Sequence, residues 1–401
     1  MSGPESPVRT IVAFLVLVVL CSGSWFVFDP PQRSHETRTN PARLEAQALR
    51  RGTLELPERL HDTALHEGRA YNVFQPGQTL FYLGHDLIGA DLETTAPREI
   101  FALFVLTTFL LYGALLRLTC GRSVVSLALT ISMMFGAPYF VNLRPAMDGA
   151  PWRLNHVFTV LFTVAALFIL ARGTKTRDLL GAGLFIGAAM MFRLQSVLLL
   201  ALPMMLMAQD PRPGRRVGSL LVFPVLALLV VLGFQAARFG TPFETGYMLI
   251  YEGRSDALAL RAAEHGLMSW RFLPENLWRT FLAIPVPRFE EGAFAGLTLD
   301  GRGNSLLFSQ PILLLGLLGL RTPRSARLST FVVVAALTSM PVLLHHNPGW
   351  HAPGYMRMAL DYLPVWIAAT ALALNTAEAP WTSRAAVVLA GFALAYGWYL
   401  L

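Results

Sequence analysis

Residues 179–208 read LLGAGLFIGAAMMFRLQSVLLLALPMMLMA, an apolar run interrupted by one cation, Arg193. Read as one helix, the run sets an arginine near the middle of a bilayer, at a cost of roughly 2.5 kcal/mol or more. Read as two short helices turning at Arg193-Leu194-Gln195-Ser196, it puts the cation at a turn. Each half is then about 20 Å long at 1.5 Å per residue, too short to cross alone. Such a turn sits within the outer half of the membrane, held by neighbouring protein. The two-helix reading decides the frame of the whole chain, because it fixes the side on which every later loop falls.

Nine further apolar runs flank this pair: 11–28, 100–118, 124–141, 154–171, 217–237, 306–320, 328–344, 360–374 and 385–401, with the pair itself divided into 179–192 and 197–208. Counted together they make about eleven membrane segments, with the N-terminus inside and the C-terminus outside. The loops then placed inside carry Arg117 and Arg122; Arg172, Lys175 and Arg177; Arg212, Arg215 and Arg216; Arg321, Arg324 and Arg327; and Arg384. Every inner loop is basic, as the positive-inside rule requires. Four arginines break that rule: Arg144, Arg153, Arg193 and Arg357 fall on the opposite face. Cations gathered there point to a bound anion, and at a membrane face the anion to expect is a lipid phosphate. Arg193 and Arg357 are expected to point into one cavity with Arg144 or Arg153 at its rim.

Composition agrees with the membrane class. Hydrophobic residues make up 54% of the 401 and charged residues only 14%, against roughly 25% charged in soluble chains. Mean hydropathy is +0.50. The net charge of +7 comes with no basic helix, zinc motif or aromatic-basic stripe, so nucleic acid is not expected as a partner. The two cysteines, Cys21 and Cys120, are placed too far apart to pair, and no disulfide framework is expected. Residues 11–20 could form a signal-peptide core with Ser22-Gly23-Ser24 as its cleavage site. The run continues through Trp25-Phe26-Val27-Phe28, which favours an uncleaved first span.

The chain reads as one transmembrane domain, 1–401, with two long outer segments at 29–98 and 238–305. Helical spacing predicts helices at 40–52, 77–88, 256–266 and 274–283, small decorations lying along the surface. No internal repeat stands out.

Candidate chemistry gathers on the outer segments. Asp29, His35, Glu36 and Arg38 follow the first span, and a carboxylate just above the membrane can act as general base on an acceptor hydroxyl. The stretch from His61-Asp62 through Gly68-Arg69-Ala70-Tyr71 to Pro76-Gly77 lacks HExxH or Asp-x-Asp spacing and reads as turns and scaffold shaping a groove. The loop 142–153 adds Arg144, Asp148 and Arg153; Asp148 is either a neutralising partner for an arginine or a second active-site acid. His156 tops the next span. His345, His346 and His351 are either metal ligands or parts of an ordinary capped loop. Arg357 and Asp361 lie four apart, so a mutual pair stands beside a phosphate-binding role.

In order along the chain come an acidic-x-Arg element after the first span (Glu36 to Arg38), Gly68–Tyr71 with Pro76-Gly77, the short-span Arg193, Arg238–Pro242 with Gly246-Tyr247, and Gly354–Pro364. In these motifs and their order the chain resembles bacterial polytopic members of the GT-C glycosyltransferase superfamily, which includes protein O-mannosyltransferases and aminoarabinose transferases. The resemblance implies an all-α polytopic membrane protein, a GT-C-like helical bundle with periplasmic interfacial helices, in a bacterial inner membrane with its active face periplasmic. It implies transfer of a sugar, with inversion, from a polyprenyl-phosphate donor to a glycan, lipid or protein acceptor. The resemblance implies Glu36 or Asp29 as the catalytic acid, and the loop reading adds Asp148 as a candidate. Glu36 stands where the family usually has Asp, with Asp29 as its rival. Taken with the outer-face residues, the candidate donor and acceptor contacts are Arg38, Arg69, Tyr71, Arg144, Arg153, His156, Arg193, Gln195, Tyr355 and Arg357. No cofactor is assigned, and a divalent cation stays open. Two other readings are a non-catalytic membrane subunit or lipid-binding protein of the same fold, and a transporter. The transporter fits less well, because the ionisable residues gather at one face rather than along the midplane.

Overall fold

The computed structural model describes residues 7–28, 39–208, 213–290, 292–320, 325–349, 351–376 and 381–401. The first half of the chain contains α1 Pro7–Phe28, α2 Pro41–Leu49, β1 Thr63–His66, β2 Arg69–Asn72, α3 Pro76–Ile88, α4 Leu92–Leu118, α5 Ser123–Phe135, α6 Ala137–Met147, α7 Pro151–Leu170 and α8 Thr176–Phe192. The second half contains α9 Ala201–Leu206, α10 Pro213–Phe239, α11 Ala257–His265, α12 Leu273–Phe281, β3 Val286–Glu290, β4 Ala293–Thr298, α13 Leu306–Ser309, α14 Ala326–Leu343, α15 Leu363–Thr376 and α16 Trp381–Tyr399. Short 3-10 segments at Leu194–Leu200, Leu249–Tyr251, Trp270–Phe272, Pro311–Leu320 and Arg357–Asp361 join them.

Every apolar run expected from the sequence is helical, whole or broken. Among the described residues, five helices are long and apolar enough to cross a membrane: α1, α4 from Thr95, α7, α10 from Arg216, and α14. A sixth arises if α5 and α6, bent by 46° at Gly136, count as one span. The other five runs fall short as single spans. They are the 17-residue α8, the broken stretches 194–206 and 306–320, the 14-residue α15, and α16, which carries Arg384 near its start. The expected break in 179–208 is present. α8 stops at Phe192, Arg193 has extended backbone (φ −144°, ψ 100°), and helical backbone resumes at Leu194 as a 3-10 turn.

The chain divides into two units, 1–21 with 108–142 and 268–401, and 22–107 with 143–267. In the second, α8 lies against α7 and α10. Gly183 and Gly187 make the close approach to α10 possible: a Cβ on Gly183 would fall 2.2 Å from the Leu220 carbonyl oxygen, and one on Gly187 would fall 2.8 Å from that of Phe223. Small residues four apart let apolar helices meet backbone to backbone, where dispersion replaces the missing hydrophobic drive. In the first unit, α5 packs on α16, and α15 on 311–320 and α14. Arg122 donates to the Leu374 carbonyl at 2.5 Å and to Thr382 and Ser383. A residue read as an inner-loop charge thus also caps the last turn of α15.

The four decorating helices appear close to their expected bounds. Asn40 caps α2 by accepting from Ala42 N–H, with Pro41 in the first turn. Asp256 caps α11 by accepting from Leu258 and Ala259. The sequence reading contained no strands, yet two hairpins form. β1 pairs antiparallel with β2 across a turn at Glu67-Gly68, both at positive φ, and β3 pairs with β4. The Glu67-Gly68 pair suits a two-residue hairpin turn with left-handed backbone at both positions.

Candidate functional site

The most strongly built polar centre joins segment 39–98 to the end of α10. Glu45 on α2 and Arg238 on α10 are 0% and 3% exposed. Arg238 Nε donates to Glu45 Oε1 at 2.6 Å, Nη2 to Oε2 at 2.5 Å, and Nη1 to the Phe74 carbonyl at 2.8 Å. Glu45 Oε2 also accepts from Asn72 Nδ2 at 2.9 Å and Thr79 Oγ1 at 2.5 Å. The guanidinium lies 5.3 Å from the Phe234 ring centroid. A carboxylate with donors on both oxygens and no water contact is a poor general base. The pair is a pin, not a reacting group.

The motifs that carried the family resemblance converge on this pin. Ala64 and Tyr71, opposite each other across the β1–β2 hairpin, bury against Phe239, Val73 and Ile250. The Tyr71 and Phe239 rings meet edge to face at 5.8 Å. Gly246 seats on the same ring, where a Cβ would approach Phe239 Cζ to 2.5 Å. Gly77 lies on the end of α8: a Cβ there would fall 2.6 Å from the Met191 carbonyl oxygen. The first turn of α3 therefore rests on the residues immediately before Arg193.

A second set of bonds fixes the surroundings of 29–38. Asp29, His35, Glu36 and Arg38 lie outside the described residues, but the chain on either side of them is held. Arg144 Nη1 donates to the carbonyl of Phe28, the last residue of α1. Asn40 Nδ2 donates to the Gly149 carbonyl at 2.8 Å and to Tyr82 Oη at 3.2 Å. Gln78 Nε2 donates to the Pro151 carbonyl at 2.6 Å. Phe28 and Asn40, which flank 29–38 in sequence, are thus both fastened to residues 144–151. That stretch carries Arg144 (exposed) and Asp148 (half-buried), with Arg153 (buried) following on α7.

The remaining candidates are distributed as follows. Arg69 is exposed and pairs loosely with Glu55 at 3.7 Å. Tyr71 is buried in the core described above. His156 is buried within α7, and Arg193 and Gln195 are half-buried at the break after α8. These belong to the unit containing 143–267, as do Arg144, Asp148 and Arg153. Tyr355 and Arg357 belong to the other unit, both buried. Tyr355 donates to Asn142 Oδ1 at 3.4 Å, and the adjacent Gly354 carbonyl accepts from Tyr396 at 2.7 Å. Arg357 and Asp361 bound a 3-10 turn rather than an α-helical one.

No group of three His, Cys, Asp or Glu side chains is arranged to hold a metal among the described residues. His345 Nδ1 lies 3.1 Å from the backbone N of Asn347, within its own loop. A cleft of about 300 Å³ opens between Arg59, His61, Asp62 and Arg254. His61 Nδ1 lies 3.1 Å from Asp62 Oδ2, and Arg254 pairs with Asp256 at 2.7 Å. Burial beside it pushes the Tyr251 hydroxyl up to about 12.

Glu45 and Arg238 were missed as partners by sequence reasoning. Glu45 stood inside the helix read over 40–52, and Arg238, just past run 217–237, inside a noted motif. Nothing in the sequence joined residues so far apart.

Helical runs of this length and apolarity, with small polar segments between them, define a mostly helical, polytopic membrane protein. No protein-family model and no curated protein matches the chain in sequence. Among solved structures it is similar to the oligosaccharyltransferase of Archaeoglobus fulgidus. The form tethered to an acceptor peptide containing the NVT sequon matches at 12% identity, over 97% of this chain and 54% of that one, with a TM-score of 0.49. The apo form matches at 13% identity over 99% and 56%, with a TM-score of 0.49. The complex with an inhibitory peptide and a dolichol-phosphate matches at 12% over 98% and 56%, with a TM-score of 0.47. This chain spans about half the length of those solved chains. At such identity no residue role carries across.

Proposed function

We propose that the protein is an inverting glycosyltransferase that moves a sugar from a polyprenyl-phosphate donor to a glycan, lipid or protein acceptor at the periplasmic face of a bacterial inner membrane. The supporting observation is the fastening of Phe28 and Asn40, which flank 29–38 in sequence, to residues 144–151. That anchoring ties the residues on either side of the stretch bearing Asp29 and Glu36 to the stretch bearing Arg144 and Asp148. Glu36 takes the proton of the acceptor hydroxyl as its oxygen bonds to the anomeric carbon. The anomeric C–O bond to the lipid phosphate breaks on the opposite side, and the phosphate leaves with the bonding pair. Arg144, Arg153 and Arg193 offset the charge that develops on it. Arg193, at a break inside an apolar run, is the kind of membrane cation that marks a functional site.

The test uses the full chain in lipid nanodiscs with a panel of radiolabelled polyprenyl-phosphate sugars and, separately, polyprenyl phosphate alone. Wild type should transfer label. Glu36→Gln should lose transfer by at least about 100-fold while still binding polyprenyl phosphate. Arg193→Ala should weaken that binding about 10- to 100-fold, the value of one or two charge-assisted hydrogen bonds. Binding without transfer from any donor would favour the non-catalytic lipid-binding reading. Full activity in Glu36→Gln would remove that residue from the mechanism.

A further inference from the structure

Helix α12 is inside out for a water-facing element. Its polar Asn276 and Thr280 are fully buried, whereas Leu277 and Trp278 are 39% and 57% exposed. The apolar surface continues past the helix through Leu282 and Ile284, each about 60% exposed, and into the β3–β4 hairpin. There Phe289 and Phe294 pair edge to face at 6.1 Å while staying 64% and 60% exposed. Every residue of β3 is exposed. An isolated two-stranded hairpin is marginally stable in water and needs a surface against which to bury its side chains.

The place of α12 in the fold says what that surface is. Asn276 Nδ2 donates to the carbonyls of Leu343 and His345, at 2.8 and 2.9 Å, and Ser269 N–H to that of Leu344 at 2.9 Å. These bonds seat α12 on the C-terminal end of α14, an apolar helix of 18 residues. At 1.5 Å per residue α14 is about 27 Å long, close to the thickness of a bilayer's hydrocarbon core. Its end therefore lies at a membrane boundary. Its outward residues Val332, Val333 and Leu337 are themselves exposed and apolar, so the outward face of α12 prolongs a lipid-facing surface. Trp278 and Trp270 are the residue type that favours headgroup depth. Arg271, exposed directly after Trp270, complements anionic headgroups.

We infer that α12 and the β3–β4 hairpin form a membrane-docking platform that lies in the headgroup and upper acyl layer of the bilayer, with anionic lipid as its partner. The amphipathic helix gives the buried face and the hairpin extends it laterally. This inference stands apart from the transfer reaction and holds whether or not the protein is an enzyme.

The experiment places nitroxide labels at Trp278→Cys and, separately, Phe289→Cys. Both are made in a Cys21→Ala/Cys120→Ser background of the full chain, reconstituted in phosphatidylcholine–phosphatidylglycerol vesicles. Collision rates with oxygen, which partitions into lipid, are compared with those of a water-soluble nickel chelate. Both labels should favour oxygen, giving a positive depth parameter, and Leu277→Cys should agree. Labels more accessible to the nickel chelate at both sites would overturn the inference. So would dipolar broadening between labels that disappears on dilution with unlabelled protein, because a second copy rather than lipid would then cover the face.

Discussion

Replacing Arg238 with alanine should unfold the joint between segment 39–98 and α10. The substitution removes two hydrogen bonds from Glu45 and one from the Phe74 carbonyl. It leaves the Glu45 carboxylate 0% exposed with only Asn72 and Thr79 as donors. Breaking a buried ion pair from one side costs about 3–5 kcal/mol, because the surviving charge is left buried without a counter-charge. About 4 kcal/mol lowers the folded-to-unfolded ratio roughly a thousandfold. Arg69 and Glu55 provide the contrast. That pair is 3.7 Å apart and largely exposed, so Arg69→Ala should change stability by less than about 1 kcal/mol. Joint replacement, Glu45→Met with Arg238→Met, removes both charges and should cost much less than the sum of the two single changes. The assay is unfolding in mixed micelles titrated with dodecyl sulfate, with limited proteolysis of 39–98 as a local readout. If Arg238→Ala stays within about 0.5 kcal/mol of wild type, or if the two single effects simply add, the network is not the pin described.

Other outcomes follow from single features. Asp256→Ala should cost about 1 kcal/mol of local stability at α11, the usual loss for an N-cap. The hydrogen bond from Arg254, backed by those from Ala259 and Leu258, holds the Asp256 carboxyl below its ordinary value. A depressed folded-state value means that the cap's contribution is present at neutral pH and is lost as pH falls through that lowered value. Hydrogen exchange of 257–265 measured from pH 7 down to pH 2 should show protection failing only at the acid end. Gly183→Val should destabilise the protein by about 1–3 kcal/mol through overpacking against Leu220, whereas Gly218→Ala on α10, whose added Cβ meets nothing within 4 Å, should be neutral or slightly stabilising. Both are read by the same micelle titration.

How much could be read from the sequence depended on how local each determinant was. The helices were visible as apolar runs, and the break at Arg193 was visible because a cation inside such a run is costly. Asn40 and Gly266 stood at bounds of the surface helices read from spacing. The β1–β2 hairpin was not visible. Its strands are four residues each, TALH and RAYN, with no clean alternation, and what holds them is Phe239, far along the chain. The Glu45–Arg238 pin failed for the same reason. The spacing of α12 was legible as a helix, but periodicity gives a face without saying which way it turns. Only the bonds from Asn276 to the end of α14 settle that the polar face points inward.

The arginines separate in a way that bears on the anion argument. Arg238, inside one of the resemblance motifs, holds a carboxylate and a carbonyl. Arg122 holds the last turn of α15, although its place in an inner loop suggested only topology. An arginine outside the charge rule is therefore not by that fact an anion ligand, since helix ends and buried acids recruit the same fork of donors. Arg144 is the informative case, because it caps α1 at Phe28 with Nη1 and has four other N–H donors on its guanidinium. Asp29 follows Phe28 directly, and the acidic segment begins there. A residue that only capped a helix would be replaceable by lysine with little change in stability or function. One that also holds a phosphate in its planar fork would not, because lysine offers a point charge in place of paired donors. Arg144→Lys separates the two roles: unchanged polyprenyl-phosphate binding would confine Arg144 to capping, and binding about tenfold weaker with stability preserved would place it on the phosphate.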